Sequence, residues 1–308
     1  MSIARSLLLR ASRSPWLAGQ FRRRSFARRA VRRFMPGEGM EDALRAAAAF
    51  SEEGIGTILT QLGERVTARE EAEAVRGHYL GLLGTIQERG LPAQPSVKLT
   101  HLGLDLDREA CVQRVAALAA RAGEAGSRLW IDMEESEYVD ATLDVFRRVR
   151  AEHESVGVCL QAYLRRTPAD LESLLPLGPA IRLVKGAYRE PAEVAFPKKA
   201  DTDRAYLALA ERLLEQAAQW KAFPVFGTHD LKLVERIRER AQALGVAPGA
   251  FEVHMLYGIQ AAEQRALARA RVIVRVLISY GENWFPWYMR RLAERPANVW
   301  FVVKNLLP

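Results

Sequence analysis

Eight short apolar runs, each stopping at a polar or charged residue, limit the folds open to this chain. In order they are Ile55–Gln61, Ser96–Thr100, Leu129–Met133, Gly157–Gln161, Ile181–Lys185, Pro224–Thr228, Phe251–Met255 and Val274–Ile278, the first the weakest. They are rich in Val, Ile and Leu, which suits strands buried on both faces of a parallel sheet. Between them lie stretches of roughly 20 to 40 residues with helical periodicity, enough for one crossover helix each. Eight such units predict an α/β chain folded as a (β/α)8 TIM-like barrel, whose active site forms where the strands end. The strand-end residues are Lys98, Asp132, Gln161, Arg182 with Lys185, and Thr228 with His229. That inventory is chemical, and it predicts an enzyme.

The net charge of +8 suggests nucleic acid until it is located. Ten of the 45 basic residues precede residue 34, so 35 basic residues face 37 acidic ones in the remainder. The barrel is therefore close to neutral, which excludes a nucleic-acid partner, and the basic character belongs to an N-terminal arm. The division expected is 1–50 as a basic helical arm and 51–308 as the catalytic barrel. The arm is Arg-rich and free of acid, like an organellar transit peptide, yet it could also lie on an anionic membrane surface. A pair of helices packing on the barrel or on a neighbouring subunit is the plainer alternative. No apolar run reaches the ~18 residues of a membrane span. Cys111 and Cys159 stand alone, without the spacing of a disulfide framework or a zinc site. The expected compartment is the cytoplasm, with a peripheral contact on the inner face of the membrane as the alternative.

Along the chain, residues 36–51 read as a helix start, Gly90–Pro95 as a loop, and a helix begins near Asp107. Val112, Val115, Leu118 and Ala119 share one face of that helix. Tyr188–Asp203 reads as a long strand-to-helix loop, of the kind that covers a barrel site. Trp284–Arg295 reads as a helix after the last strand, with Pro286 near its start and Pro296 beyond its end.

A charge inside an apolar strand is expensive to bury unless it is paired or faces a wet site. Lys98, and Arg182 with Lys185, are the clearest cases, and an ion pair closing one end of the barrel is the simple alternative to a functional site. Arg182, Val184 and Gly186 share one strand face, and Lys185 faces the other way unless the strand ends there. Arg290 and Arg291 suit a carboxylate or phosphate held by two planar forks, or a solvated helix face paired with Glu294. The segment Gly227–Asp230 (GTHD) could hold a ribose, a phosphate or a flavin edge, or cap the next helix through Asp230. His254 reads as a satisfied core histidine rather than a ligand. There is no metal-ligand spacing, Walker loop, GxGxxG or nucleophile elbow. The lysines keep a Schiff-base aldolase open.

Taken together, VKLTHLGLDL, IDMEES, LQAYLRRTPADL, IRLVKGAYREPAEVAFP, GTHD, HMLYGI and WYMRRLAERPAN resemble proline dehydrogenase in its short monofunctional bacterial form, from about Met35 to Pro308. The resemblance implies a distorted (β/α)8 barrel holding noncovalent FAD. It also implies oxidation of L-proline to Δ1-pyrroline-5-carboxylate, with electrons delivered to a membrane quinone. By motif, Lys98, Arg290 and Arg291 would bind the proline carboxylate. Asp132 would support the site through the lysine and the amine, Tyr188 and Leu256 would wall the ring, and Arg182 would sit against flavin N5. Met133, Gln161, Lys185, Gly186, Ala187, Thr228 and His229 would hold the rest of FAD. In two places this chain departs from the family's common tyrosines, carrying Leu277 on the last strand and Trp287 before the arginine pair. Both positions shape the space around the ring, so a substituted proline such as 4-hydroxyproline remains an alternative substrate. Oligomeric state stays open.

Overall fold

Eight parallel strands form one closed barrel. The computed structural model describes residues 31–285 and 287–289. Its strands are β1 Gly56–Gln61, β2 Ala93–Val97, β3 Leu129–Ile131, β4 Val156–Gln161, β5 Ala180–Val184, β6 Phe223–Gly227, β7 Glu252–Leu256 and β8 Val274–Tyr280. They pair in parallel in sequence order, and β8 closes on β1. The helices are α1 Met40–Glu52, α2 Arg69–Glu88, α3 Arg108–Glu124, α4 Val139–Glu152, α5 Thr167–Leu174, α6 Lys199–Ala217, α7 Leu231–Ala243 and α8 Ala261–Arg269. The outward strand residues Leu59, Val97, Ile131, Val158 and Leu183 are buried against this helical ring. The inward residues Ile58, Trp130, Ala180 and Val225 make a separate plug. Gly157 makes room for that plug, because a Cβ there would lie 2.6 Å from the Trp130 ring.

The helix starts follow local chemistry. Asp107 caps α3 by accepting from the Ala110 N–H at 3.1 Å, and Val112, Val115, Leu118 and Ala119 are its buried face. The α1 helix runs across residue 50, and Ala43, Leu44, Ala47 and Phe50 join the core that surrounds β1. Ahead of it, Val31, Phe34 and Met35 bury with Trp284, Phe285 and Tyr288. Among the described residues no helix is long and apolar enough to cross a membrane.

Two expectations are corrected. The second strand is Ala93–Val97 rather than Ser96–Thr100, so half of the expected Gly90–Pro95 loop is strand. Ala93–Pro95 pairs with β1 and Ser96–Val97 with β3. Pro95 therefore sits at the changeover, where a missing donor costs least, and barrel closure overrides the breaker signal. The loop after β5 also ends early, since α6 begins at Lys199, within the expected loop. That loop is tied down. Ser136 donates through its N–H and hydroxyl to the Glu190 carboxylate at 2.7 and 2.6 Å, and Leu164 bridges to Ala195.

Charges fill the lower barrel. Glu252 Oε2 accepts from His254 Nε2 and from Arg275 Nε, both at 2.9 Å, and all three sit on inward faces of β7 and β8. Burial raises the Glu252 carboxyl, but the His254 and Arg275 partners outweigh it and hold it down at about 2. The unfolded carboxyl therefore takes its proton first on acidification. Its contribution to stability is complete above about pH 4.5 and lost as pH falls towards 2. Glu252→Gln is expected to destabilise the fold by about 3–5 kcal/mol at pH 7, because it leaves buried donors without their charge partner. The gap to wild type, read from urea midpoints, should narrow below pH 4.5. A constant gap across pH would show that the carboxylate charge is not what matters.

Candidate active site

At the C-terminal mouth of the barrel the strand ends enclose a cavity of about 590 Å³. Because β2, β3, β5 and β6 stop at Val97, Ile131, Val184 and Gly227, the polar residues that follow turn into the mouth. Lys98, Asp132, Met133, Gln161 and Arg182 line one side of it. Lys185, Gly186, Ala187 and Tyr188 line the β5 side, with Thr228, His229 and Leu256 beyond them. The fold thus gathers in one space every site residue expected from sequence that lies among the described residues. Arg290 and Arg291, and their alternative pairing with Glu294, lie outside the described residues.

Arg182 is the most constrained of these groups. It is 3% exposed. Its Nη2 donates to Asp132 Oδ1 and, at 3.0 Å, to Ser96 Oγ, and Ser96 Oγ in turn donates to the same Asp132 oxygen at 3.0 Å. The guanidinium carbon lies 5.1 Å from the centroid of the Trp130 ring, a cation–π distance. Arg182 Nη1 is buried and has no protein partner. So is Gln161 Oε1, although Gln161 Nε2 donates to the Met133 carbonyl at 3.4 Å. Native interiors rarely leave such atoms unmatched, and both belong to residues that line the cavity.

The lysines are paired, and Lys98 meets Glu64 rather than Asp132, which was expected to act through it and instead holds Arg182. Lys98 Nζ contacts Glu64 Oε2 at 2.5 Å, and Lys185 Nζ contacts Asp203 Oδ1 at 2.6 Å and Asp230 Oδ2 at 3.1 Å. Asp230 occupies the N-cap position of α7, and its carboxylate contacts Lys185. Burial opposes ionisation of Asp203 and Asp230, yet the lysine contacts win and both carboxyls titrate below their ordinary range. His229 Nε2 accepts from the Leu256 N–H at 3.2 Å, which places the proton of the neutral ring on Nδ1. Gly186 adopts φ +111°, and a Cβ there would fall 2.2 Å from the Tyr163 ring, so only glycine lets the chain pass this close.

Several contributors escaped the sequence reading. Ser96 sits on an expected strand but carried no motif. Glu134, 2% exposed, accepts from the Thr100 N–H at 3.0 Å and hydroxyl at 2.6 Å and so braces the turn after Lys98. Burial raises its carboxyl above the ordinary range. His254 also lines the cavity, and its Nδ1 is unpartnered, so it is only half the satisfied core histidine expected. The i,i+2 spacing of Glu252 and His254 was the legible signal. Leu277 and Trp287, which the sequence did single out, both line the cavity. Among the described residues no cluster of three or more His, Cys, Asp or Glu could hold a metal.

The chain is similar to known proteins in sequence and in fold. A family model described as proline dehydrogenase matches residues 43–304. The chain is 36% identical over 280 residues to a protein named proline dehydrogenase from Deinococcus radiodurans, covering 89% of each. It is 33% identical over 306 residues to proline dehydrogenase 2 of Bacillus subtilis subsp. natto, covering 99% of each. A crystal structure of proline utilization A from Bdellovibrio bacteriovorus superposes with TM-score 0.81 at 23% identity, over 90% of this chain and 33% of that longer one.

Proposed function

Because the chain belongs to the proline dehydrogenase family, we propose that it oxidises L-proline to Δ1-pyrroline-5-carboxylate with noncovalent FAD and passes the electrons to a membrane quinone. The observation that carries the flavin is Arg182, a buried guanidinium held by Asp132, Ser96 and Trp130 with one nitrogen left for a ligand. The orphaned Gln161 oxygen and the close backbone pass at Gly186 fit the same planar, hydrogen-bonding group. Met133, Gln161, Lys185, Gly186, Ala187, Thr228 and His229 would hold FAD, which supplies the two-electron acceptor for the C5 hydrogen.

The remaining work falls to this chain's own side chains. Lys98, Arg290 and Arg291 would neutralise and fork the proline carboxylate, fixing the ring so that C5 faces the Arg182 side. Tyr188 and Leu256 would wall the ring. Asp132 would hold Arg182 and balance its charge, while Arg182 stabilises negative charge on the acceptor. The loop after β5, clamped by Glu190 to Ser136, would keep water from that space. The basic residues that precede residue 34 would make a peripheral contact with the membrane where the quinone resides.

Leu277 and Trp287 favour a second reading, a substituted proline such as 4-hydroxyproline, since both border the cavity where the family commonly has tyrosine. The aldolase alternative loses ground, because Lys98 and Lys185 are engaged with carboxylates whereas Schiff-base chemistry needs a free amine. An absorption spectrum separates these readings. Purified protein should be yellow, release FAD on mild denaturation, and bleach with proline more efficiently than with 4-hydroxyproline. Colourless protein from FAD-supplemented cells would overturn the flavin reading, and borohydride trapping of substrate would revive the aldolase.

A further inference from the structure

From the His254 side of the cavity a column of polar side chains runs down the barrel axis, buried except at its foot, where the Arg275 side chain is 17% exposed, and below Trp130 the proposed chemistry does not use it. At its foot Arg275 donates through Nη1 to the Pro92 carbonyl at 2.9 Å and through Nε to Glu252 Oε2 at 2.9 Å. The same carboxylate oxygen meets His254 Nε2 at 2.9 Å. The His254 ring stands edge-on to Trp130, centroids 5.7 Å apart, and the Trp130 indole N–H donates to Gln94 Oε1 at 2.7 Å. Above Trp130 lies the Arg182 guanidinium. Trp130 is fully buried, and Gln94, Arg182, Glu252 and His254 are each less than 9% exposed.

Charges are poor filler. Well-packed apolar residues of similar volume would close the barrel at no greater cost, and often at less. What a paired column offers instead is fixed orientation. A carboxylate only accepts, so the proton of neutral His254 sits on Nε2 and its ring plane is set by Glu252. That plane sets the edge against Trp130, whose own rotation is locked by Gln94. Trp130 then presents one face to Arg182, whose hydrogen bonds to Ser96 and Asp132 both run through Nη2, with the Cys159 thiol also beside it.

We propose that Glu252, His254 and Trp130 are positioning residues for Arg182, fixing where its free Nη1 stands at the cavity floor and so how strongly it stabilises a reduced acceptor. The proposal rests on the flavin reading. Its test compares FAD-loaded wild type with His254→Leu and His254→Gln by flavin midpoint potential, kcat, KM for proline and thermal midpoint. His254→Leu should weaken stabilisation of the reduced flavin about tenfold, a potential lower by about 30 mV for a two-electron couple. kcat should fall by a similar factor with KM within twofold. His254→Gln, whose amide can still donate to Glu252, should recover most of both. Should His254→Leu fail to fold, Trp130→Phe, which keeps a ring but drops the Gln94 anchor, should shift potential in the same direction. A lowered thermal midpoint with wild-type potential and kcat in the folded variants would overturn the proposal and leave the column structural. Wild-type protein that never binds flavin would instead overturn the functional reading itself.

Discussion

Replacing Arg182 with methionine is expected to lower kcat by about 10²- to 10³-fold, the usual cost of removing one fixed donor aimed at developing charge. Methionine keeps much of the length and the apolar contact with Trp130 but loses the fork. The loss should fall on the reductive step, since the proposed carboxylate ligands are elsewhere, and KM for proline should move little. Some stability should go too, because Asp132 and Ser96 lose their shared partner. Asp132 is 23% exposed at its side chain, so water covers part of that loss. Arg182→Lys separates charge from shape: a point charge cannot satisfy Asp132, Ser96 and a ligand from one planar group. Rapid mixing of the oxidised holoenzyme with proline reads the step directly. A flavin-loaded Arg182→Met enzyme reduced within threefold of the wild-type rate would remove Arg182 from the mechanism.

The second large effect concerns the carboxylate. Lys98→Met and Arg291→Met are each expected to raise KM for proline about 10- to 150-fold, since a lost charged hydrogen bond costs about 1.5–3 kcal/mol. FAD content should stay near one per chain in both. Lys98 follows directly after β2, and its ammonium already meets Glu64 at the rim of the cavity, so it is placed to exchange one carboxylate for another. Titrating each variant with proline and with a neutral analogue lacking the carboxylate decides the matter. Wild-type discrimination between the two ligands in both variants would assign the carboxylate to other residues. Arg291 would then belong to a surface network with Glu294.

Much of the barrel was legible because its signals are local. A buried parallel strand must be a short apolar run, and a crossover must be a helix-length segment, so the eight units could be counted directly. The strand ends were legible for the same reason, and with them Lys98, Asp132, Gln161, Arg182, Lys185, Thr228 and His229; Met133, Gly186, Ala187, Tyr188 and Leu256 came only from the family resemblance. The errors came where a local signal met a nonlocal demand. Pro92 and Pro95 mark a loop by themselves, but barrel closure draws Ala93–Val97 into the sheet.

The sequence by itself determined the period, the order of the strands and the chemistry delivered to their C-terminal ends, all of which depend on neighbours along the chain. Only the tertiary structure decided which charges meet. Arg182 finds Asp132 across 50 residues and Ser96 across 86, and Lys98 finds Glu64 across 34. Those partners are chosen by the stagger of the closed barrel, because strand tilt sets which inward side chains share a layer. Glu252 and His254 were adjacent on one strand face in the sequence, yet their Arg275 partner and their line of contact through Trp130 to Arg182 exist only once eight strands close on one another.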